Sequence, residues 1–351
     1  MPLNTSAFSL SPELITSRIS NISQIGGIET SVMDNGYARG VRIAWFNTAS
    51  GLRYKVVLDR AMDIADAFLN QNGLAWHSSA GIMPPQIQTN KGADWLRTFG
   101  GGLVTTCGLS HVGGPETDEY GERGLHGWIS NCPAEIESIL QPDPSRGLRI
   151  MSITGHIKEA RIFGPHLELR RTISSSLGES WIDIADEVTN LGNTAAPHML
   201  LYHFNLGWPL VDEGAELEFD GRMYYVNEAR DRSLFNDERN FKVCPAPMEE
   251  HRGNGEAAAY FDLVADGDGI CTCGIDNIKL GLRAEIRFRK DQLRWMTNWQ
   301  HWAPGEYVTG LEPGTHPPIG QAAARKNETL LFIEPGASMK YNLRFQVLSE
   351  R

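Results

Sequence analysis

The chain is expected to be all-β, a large antiparallel sandwich with few short helices. Three observations support this. Short runs of β-branched, aromatic and alternating residues follow one another closely. Turn formers are dense, with 36 Gly and 18 Pro. No helical pattern alternates with the strands, which disfavours parallel βαβ units. At 351 residues, one large β domain over 26–351 is expected, since all-β folds often exceed the usual domain size.

Residues 1–25 are Ser/Thr-rich and read as an N-terminal arm or short helix packed outside. From Gly26, GIETSVMDNG, GVRIAWFNTASG and LRYKVVLD are strands split by Asn-Gly and Ser-Gly turns. Asp59–Ile64 alternates charged and apolar residues, as on a half-buried strand. Trp76-His77-Ser78 and Pro84-Pro85 lead through a helix-to-loop stretch to Trp95-Leu96-Arg97. Residues 98–114 are the most glycine-dense part; lacking a Lys-Ser/Thr pair, they read as close backbone approach and not as a phosphate loop. His126 follows, pinned between Gly124 and Gly127.

AEIESIL, LRIMSITGHI, HLELRRTISSS and WIDIADEVTNLG predict strands with one wet face. The apolar, aromatic run PHMLLYHFNLGWP is interrupted by His203, which needs partners for its ring nitrogens if buried. Residues 211–255 are polar and charge-rich and read as a long excursion or lid. Strands resume at AAAYFDLVA, GICTCGID, LGLRAEIRFR and LRWMTNWQHW; TLLFIEP and SMKYNLRFQVL close the chain.

The formal net charge of −11 argues against nucleic acid and anionic membrane surfaces. No apolar run is long enough to span a bilayer. The N-terminal residues lack a secretory signal pattern, and five cysteines without framework spacing suit reduced thiols, so a cytoplasmic location is expected. No cofactor or metal motif appears; Cys271 and Cys273 are too close for a usual zinc pair. The sequence admits a homodimer without specifying one.

Glu312 is expected in a Pro/Gly turn, Gly310–Gly314, with Trp295, Trp299 and Trp302 nearby. A lone glutamate in a turn is ordinarily solvated, and a Trp cluster is ordinarily packing. Together, indoles and a carboxylate make a partly desolvated cleft that raises a carboxylate pKa toward general-base values. Aromatic faces also stack on the C–H faces of a pyranose. With no nucleophile elbow and no zinc pair, Glu312, His203 and His126 supply what proton transfer needs, a base and an acid. His111, His198 and His316 are expected to be structural.

At these residues the sequence resembles the aldose 1-epimerase (galactose mutarotase) superfamily, and within it the branch called domain of unknown function 4432. The matching pieces are Asp59-Arg60-Ala-Met-Asp-Ile, Arg97-Thr-Phe-Gly-Gly-Gly-Leu with Thr106-Cys-Gly-Leu, Leu125-His126-Gly127, Tyr202-His203-Phe-Asn-Leu-Gly and Gly310-Leu-Glu312-Pro-Gly. They run through most of the chain in the family's order.

The resemblance implies a β-supersandwich with a sugar site on its concave face and a monosaccharide or sugar derivative as substrate. It implies Glu312 as the base that deprotonates the anomeric hydroxyl and His203 as the acid that protonates the ring oxygen. His126 would hydrogen-bond the sugar. Cys107-Gly108-Leu109 stands roughly where the family has a sugar-binding Asn-Arg-Ile, and Arg97 and Arg60 are the candidate replacements. The family's sugar-binding aspartate has no clear equivalent; Gln300 or His301, beside Trp299, stands for that wall. A non-catalytic sugar-binding module on the same fold, or a keto-sugar epimerase or lyase, are the alternatives.

Overall fold

The computed structural model describes residues 11–226, 229–236 and 240–349. Among them, two antiparallel sheets dominate, one of twelve strands and one of eight, with a two-stranded ribbon beside them. The alternation read from the sequence sets their faces. Along His166–Ser176, residues Leu167, Leu169, Arg171 and Ile173 turn inward; along Trp181–Asn190, Ile182, Ile184, Asp186 and Val188 do.

The Ala196–Gly207 strand is central to the larger sheet and buried almost throughout, which explains its continuous apolar run. It pairs with Val104–Leu109 on one side and Glu306–Gly314 on the other. Trp295–Ala303 lies beyond Glu306–Gly314. Tyr202, Phe204, Leu311 and Trp302 are buried in the core, which is shared by both sheets.

Two inward-facing charges tie the sheets together. Arg171 and Asp186 are register partners on neighbouring strands, and their side chains meet at 2.7 Å (Nη2 to Oδ2). Across the sandwich Arg171 Nη1 reaches Asp63 Oδ1 at 3.1 Å and Thr106 Oγ1 at 2.8 Å, and Tyr202 donates its hydroxyl to Asp186 at 2.6 Å. Buried charges persist only when paired in this way.

Several expectations are corrected. Pro12–Arg18 forms the short helix of the N-terminal arm, capped by the Ser11 side chain; residues 1–10 of the expected arm lie outside the described residues. Asp59–Met62 is a buried turn and not a half-buried strand, with Ala61 and Met62 at positive φ, and the strand begins at Asp63. The turn aims the Ala61 carbonyl at Arg171 Nη1, 3.0 Å away. The 211–255 stretch is not a plain excursion. Glu216–Phe219 joins the smaller sheet, Gly221–Val226 the larger, and Ala229–Leu234 is helical; residues 227–228 and 237–239 lie outside the described residues. Glu312 sits inside the Glu306–Gly314 strand and not in a turn, since the turn signal belongs to Pro304-Gly305 and Gly310 and Gly314 are absorbed into the ladder. Among the described residues, no helix is long and apolar enough to cross a membrane.

Candidate active site

Period-two alternation splits the central strand's side chains. Tyr202 and Phe204 go to the core, leaving His203 on the opposite face. The pairs Leu201↔Gly314 and Phe204↔Leu311 then set His203 directly across from Glu312. The side chains meet with His203 Nε2 3.3 Å from Glu312 Oε1. On the next strand, Thr297↔Glu312 and Trp299↔Gly310 bring Trp299 to the same face.

An aromatic box surrounds the pair. The His203 ring centroid lies 5.1 Å from Phe99, 5.4 Å from Trp299, 6.3 Å from Trp95 and 6.2 Å from His126. Trp76 packs edge-on to Trp299 at 6.1 Å, and Trp95 to His126 at 5.0 Å. Glu312 is 2% exposed and His203 6%.

The backbone positions His126 as closely as a strand would. It adopts φ +56°, its N–H donates to Gly113 O at 2.9 Å, and its carbonyl accepts from Gly108 N at 3.0 Å. Gly127 is forced by this approach, because a Cβ there would lie 2.4 Å from Gly108 O. The glycine-dense segment serves the same end: Gly102 O accepts from Asn205 Nδ2 at 3.0 Å and Gly101 O from Thr105 Oγ1 at 2.8 Å, which seats the loop carrying Phe99.

Burial governs the electrostatics. The Glu312 carboxyl is raised well above the usual carboxylate range by desolvation, with a further push from the charge of Glu256. Burial pulls His203 down to about 3. It does the same to His126, also to about 3, reinforced by His203 and His111. Among the described residues, Glu312 Oε1, His126 Nδ1 and His203 Nδ1 are buried without a hydrogen bond, and the 3.3 Å approach of His203 Nε2 to Glu312 Oε1 is a close contact short of one. Polar atoms left so are expected where a polar ligand completes them.

Of the other sequence candidates, Trp299 and His301 reach this face, while Arg97, Arg60 and Gln300 do not. Arg97 turns outward, its side chain 81% exposed and paired with Asp94 at 3.2 Å. Arg60 is buried, but its guanidinium is occupied by the carbonyls of Ser130, Thr98 (2.9 Å) and Met83 (3.4 Å), so it pins loops. Gln300 points to the other face of its strand. It donates to Phe241 O at 2.9 Å and Asn298 Oδ1 at 2.7 Å and accepts from Trp302 Nε1 at 3.0 Å. His301 does share the face of Trp299, with rings stacked at 6.2 Å and Nδ1 2.6 Å from Gly255 O.

Outside the site, His111 contacts Gly114 O, His198 lies between Leu109 O and Tyr341, and His316 lies between Thr315 and Thr329 O. Sequence reasoning missed Trp76, Trp95, Phe99 and Glu256; Glu256 Oε2 accepts from Trp299 Nε1 at 2.8 Å. Trp95 stood two residues from the favoured Arg97 and was the better signal, because a large aromatic is more often turned inward than an arginine.

The family model described as domain of unknown function (DUF4432) matches residues 38–347. Among solved structures, a protein from Klebsiella pneumoniae subsp. pneumoniae MGH 78578, provisionally described as an aldose 1-epimerase, superposes with a TM-score of 0.83. It is 22% identical, over 94% of this chain and 87% of that one. A galactose mutarotase-like protein from Clostridium acetobutylicum gives 0.63 at 10% identity, over 93% and 100%. Galactose 1-epimerase from Lactobacillus acidophilus NCFM gives 0.59 at 12% identity, over 92% and 99%. A search of curated proteins returns no match. At these identities the likeness is one of fold, and the architecture is that of the galactose mutarotase-like proteins.

Proposed function

The chain belongs to the family of the domain of unknown function DUF4432, and from that premise we propose that it is a carbohydrate epimerase that interconverts sugar anomers. The observation that carries this reading is the buried pair of Glu312 and His203, 3.3 Å apart inside an aromatic box.

In this reading the pair works with one proton between its two members. With Glu312 raised and His203 lowered, burial favours a carboxylic acid beside a neutral imidazole in the ligand-free site. Moving that proton to His203 gives the carboxylate and imidazolium that the reaction uses, with no change in net proton count. A sugar whose hydroxyls hydrogen-bond Glu312 replaces the lost water and favours the charged form. Glu312 then takes the proton from the anomeric hydroxyl while His203 delivers its own to the ring oxygen. The C1–O5 bond breaks, the carbonyl forms, the C1–C2 bond rotates, and the reverse transfers close the other anomer. The pair again holds one proton, so no external acid or base is consumed. His126 stands ready to hydrogen-bond the opened sugar, and the Trp299 face to stack on the pyranose.

The test is saturation-transfer proton NMR of anomer exchange on a panel of aldoses, with Glu312→Gln beside the wild type. Exchange above the spontaneous rate with wild type only is the expected result. A sugar that binds without accelerated exchange would refute it. Deuterium appearing at a sugar carbon in heavy water would point instead to carbon epimerisation.

A further inference from the structure

We propose that Asn205 is a positioning residue that fixes the tautomer of His203, its Oδ1 accepting from Nδ1–H so that Nε2 carries the moving proton. The inference rests on the reading of Glu312 and His203 as a base and acid pair.

Asn205 lies two residues beyond His203 on the central strand, so period two puts both side chains on the site face. It is fully buried. Its backbone is satisfied on both sides, the N–H donating to Leu103 O at 3.0 Å and the carbonyl accepting from Trp76 N at 2.9 Å. Its Nδ2 has two hydrogens and uses both, on Gly102 O at 3.0 Å and on the carbonyl of His203 itself at 2.9 Å. That settles which end of the amide is which, because exchanging oxygen and nitrogen would set Oδ1 against two carbonyls. Oδ1 is the one polar atom of Asn205 left over, buried and without a hydrogen bond among the described residues.

His203 has the matching need. Nε2 is turned to Glu312 Oε1, 3.3 Å away, so Nδ1 lies on the backbone side of the ring, where the Asn205 amide sits. Nδ1 is likewise buried without a hydrogen bond. An unpaired acceptor and an unpaired ring nitrogen, side by side and away from water, complete each other by a small turn of the ring. Hydrogen bonding by the Asn205 side chain already offsets part of the burial that lowers His203.

The tautomer decides whether the pair can work. With its hydrogen on Nδ1, the neutral ring presents the Nε2 lone pair to protonated Glu312 and can take its proton. With the hydrogen on Nε2, two donors face each other and no proton passes. In the charged form Nδ1–H stays with Asn205, while the Nε2 proton goes to the ring oxygen of the sugar and returns.

Long-range proton–nitrogen NMR of the ligand-free protein, isotope-labelled at the histidine nitrogens, tests this. Asn205→Leu and Asn205→Asp are measured beside the wild type, and His203→Gln assigns the signal. Both Asn205 variants lose the bond to Gly102 O, so a merely structural role would move them alike. Only Asn205→Asp keeps an acceptor. His203 Nδ1 should be protonated in the wild type and in Asn205→Asp, and Asn205→Leu should show a mixture of tautomers. In Asn205→Leu kcat for anomer exchange should fall about five- to tenfold, the worth of one hydrogen bond, with KM unchanged. A wild-type His203 with its proton on Nε2 overturns the proposal, and that result needs no variant to fold. A wild-type tautomer kept in Asn205→Leu, or lost in both variants, overturns it too. The spectra contain no sugar, so the expected tautomers without any anomer exchange would sink the catalytic reading and leave the role of Asn205 standing.

Discussion

A Cβ on Gly310 would lie 2.5 Å from Glu312 Oε1 and 3.2 Å from Trp299 Cβ. The missing side chain is therefore the space in which the carboxyl rests, two residues along on the same strand face. Gly310→Ala should push the carboxyl out of line with His203 while leaving the strand pairing intact. A displacement near 1 Å lowers turnover by about a hundredfold, and adding a methyl group against a movable side-chain end costs about 1–3 kcal/mol. Anomer exchange and urea unfolding, measured together, check this. Full activity in Gly310→Ala would contradict the placement of Glu312.

The shared proton makes the pH profile unusual. A second proton reaches His203 only near its lowered value of about 3, leaving the pair without a base. The last proton leaves only at the raised value of Glu312, leaving it without an acid. Between these limits kcat/KM should be flat, with no limb in the ordinary carboxylate range of ~4.3. A limb with its midpoint near ~4.3 would show that Glu312 titrates as an ordinary carboxylate and would contradict the pairing.

Glu312 should also lower the stability of the fold. Its folded pKa is raised, so its contribution is full below the unfolded value of ~4.3 and is lost as pH climbs toward the folded value. Glu312→Gln removes that loss. The variant should match wild type near pH 4 and exceed it increasingly above, by up to about 1.4 kcal/mol per pH unit. His203 and His126 slope the other way. Their folded values are depressed to about 3, so stability falls as pH drops from ~6.5 toward that value. Urea unfolding of both proteins across pH 4–8 separates the two effects, because the difference between them isolates the carboxyl.

The antiparallel strands of the sandwich were readable because the faces of most of them differ in polarity, as along Leu167–Ile173, but their order in the sheets was not. The family motifs supplied Glu312, His203 and His126, which the structure gathers on one side of the larger sheet. Their local setting was less readable. Gly310-Leu-Glu-Pro-Gly carries turn chemistry yet forms ladder, since a strand flanked on both sides tolerates glycine where a side chain needs room. Gln300 and Trp299 are adjacent in sequence, and alternation alone forbids both from facing one site. Arg97 had the right type for a sugar ligand but sits on a 3₁₀ turn that sends it outward, while Trp95 and Phe99 turn inward. Glu256 could not be placed, because the contact with Trp299 spans 43 residues.

Arg171 supports a last prediction about what lies behind the site. It stands between two carboxylates, Asp186 and Asp63, and its partners reach both sheets. Arg171→Met leaves those buried carboxylates without their cation, which should destabilise the fold by about 3–5 kcal/mol. Tyr202→Phe removes only the hydroxyl donated to Asp186 and should cost about 1–2 kcal/mol. Tyr202 adjoins His203 in sequence but faces the core, so the milder variant should exchange anomers at the wild-type rate. Urea unfolding reads the first difference and NMR exchange the second. Loss of exchange in Tyr202→Phe with the fold intact would mean that the inter-sheet network positions His203 through the strand.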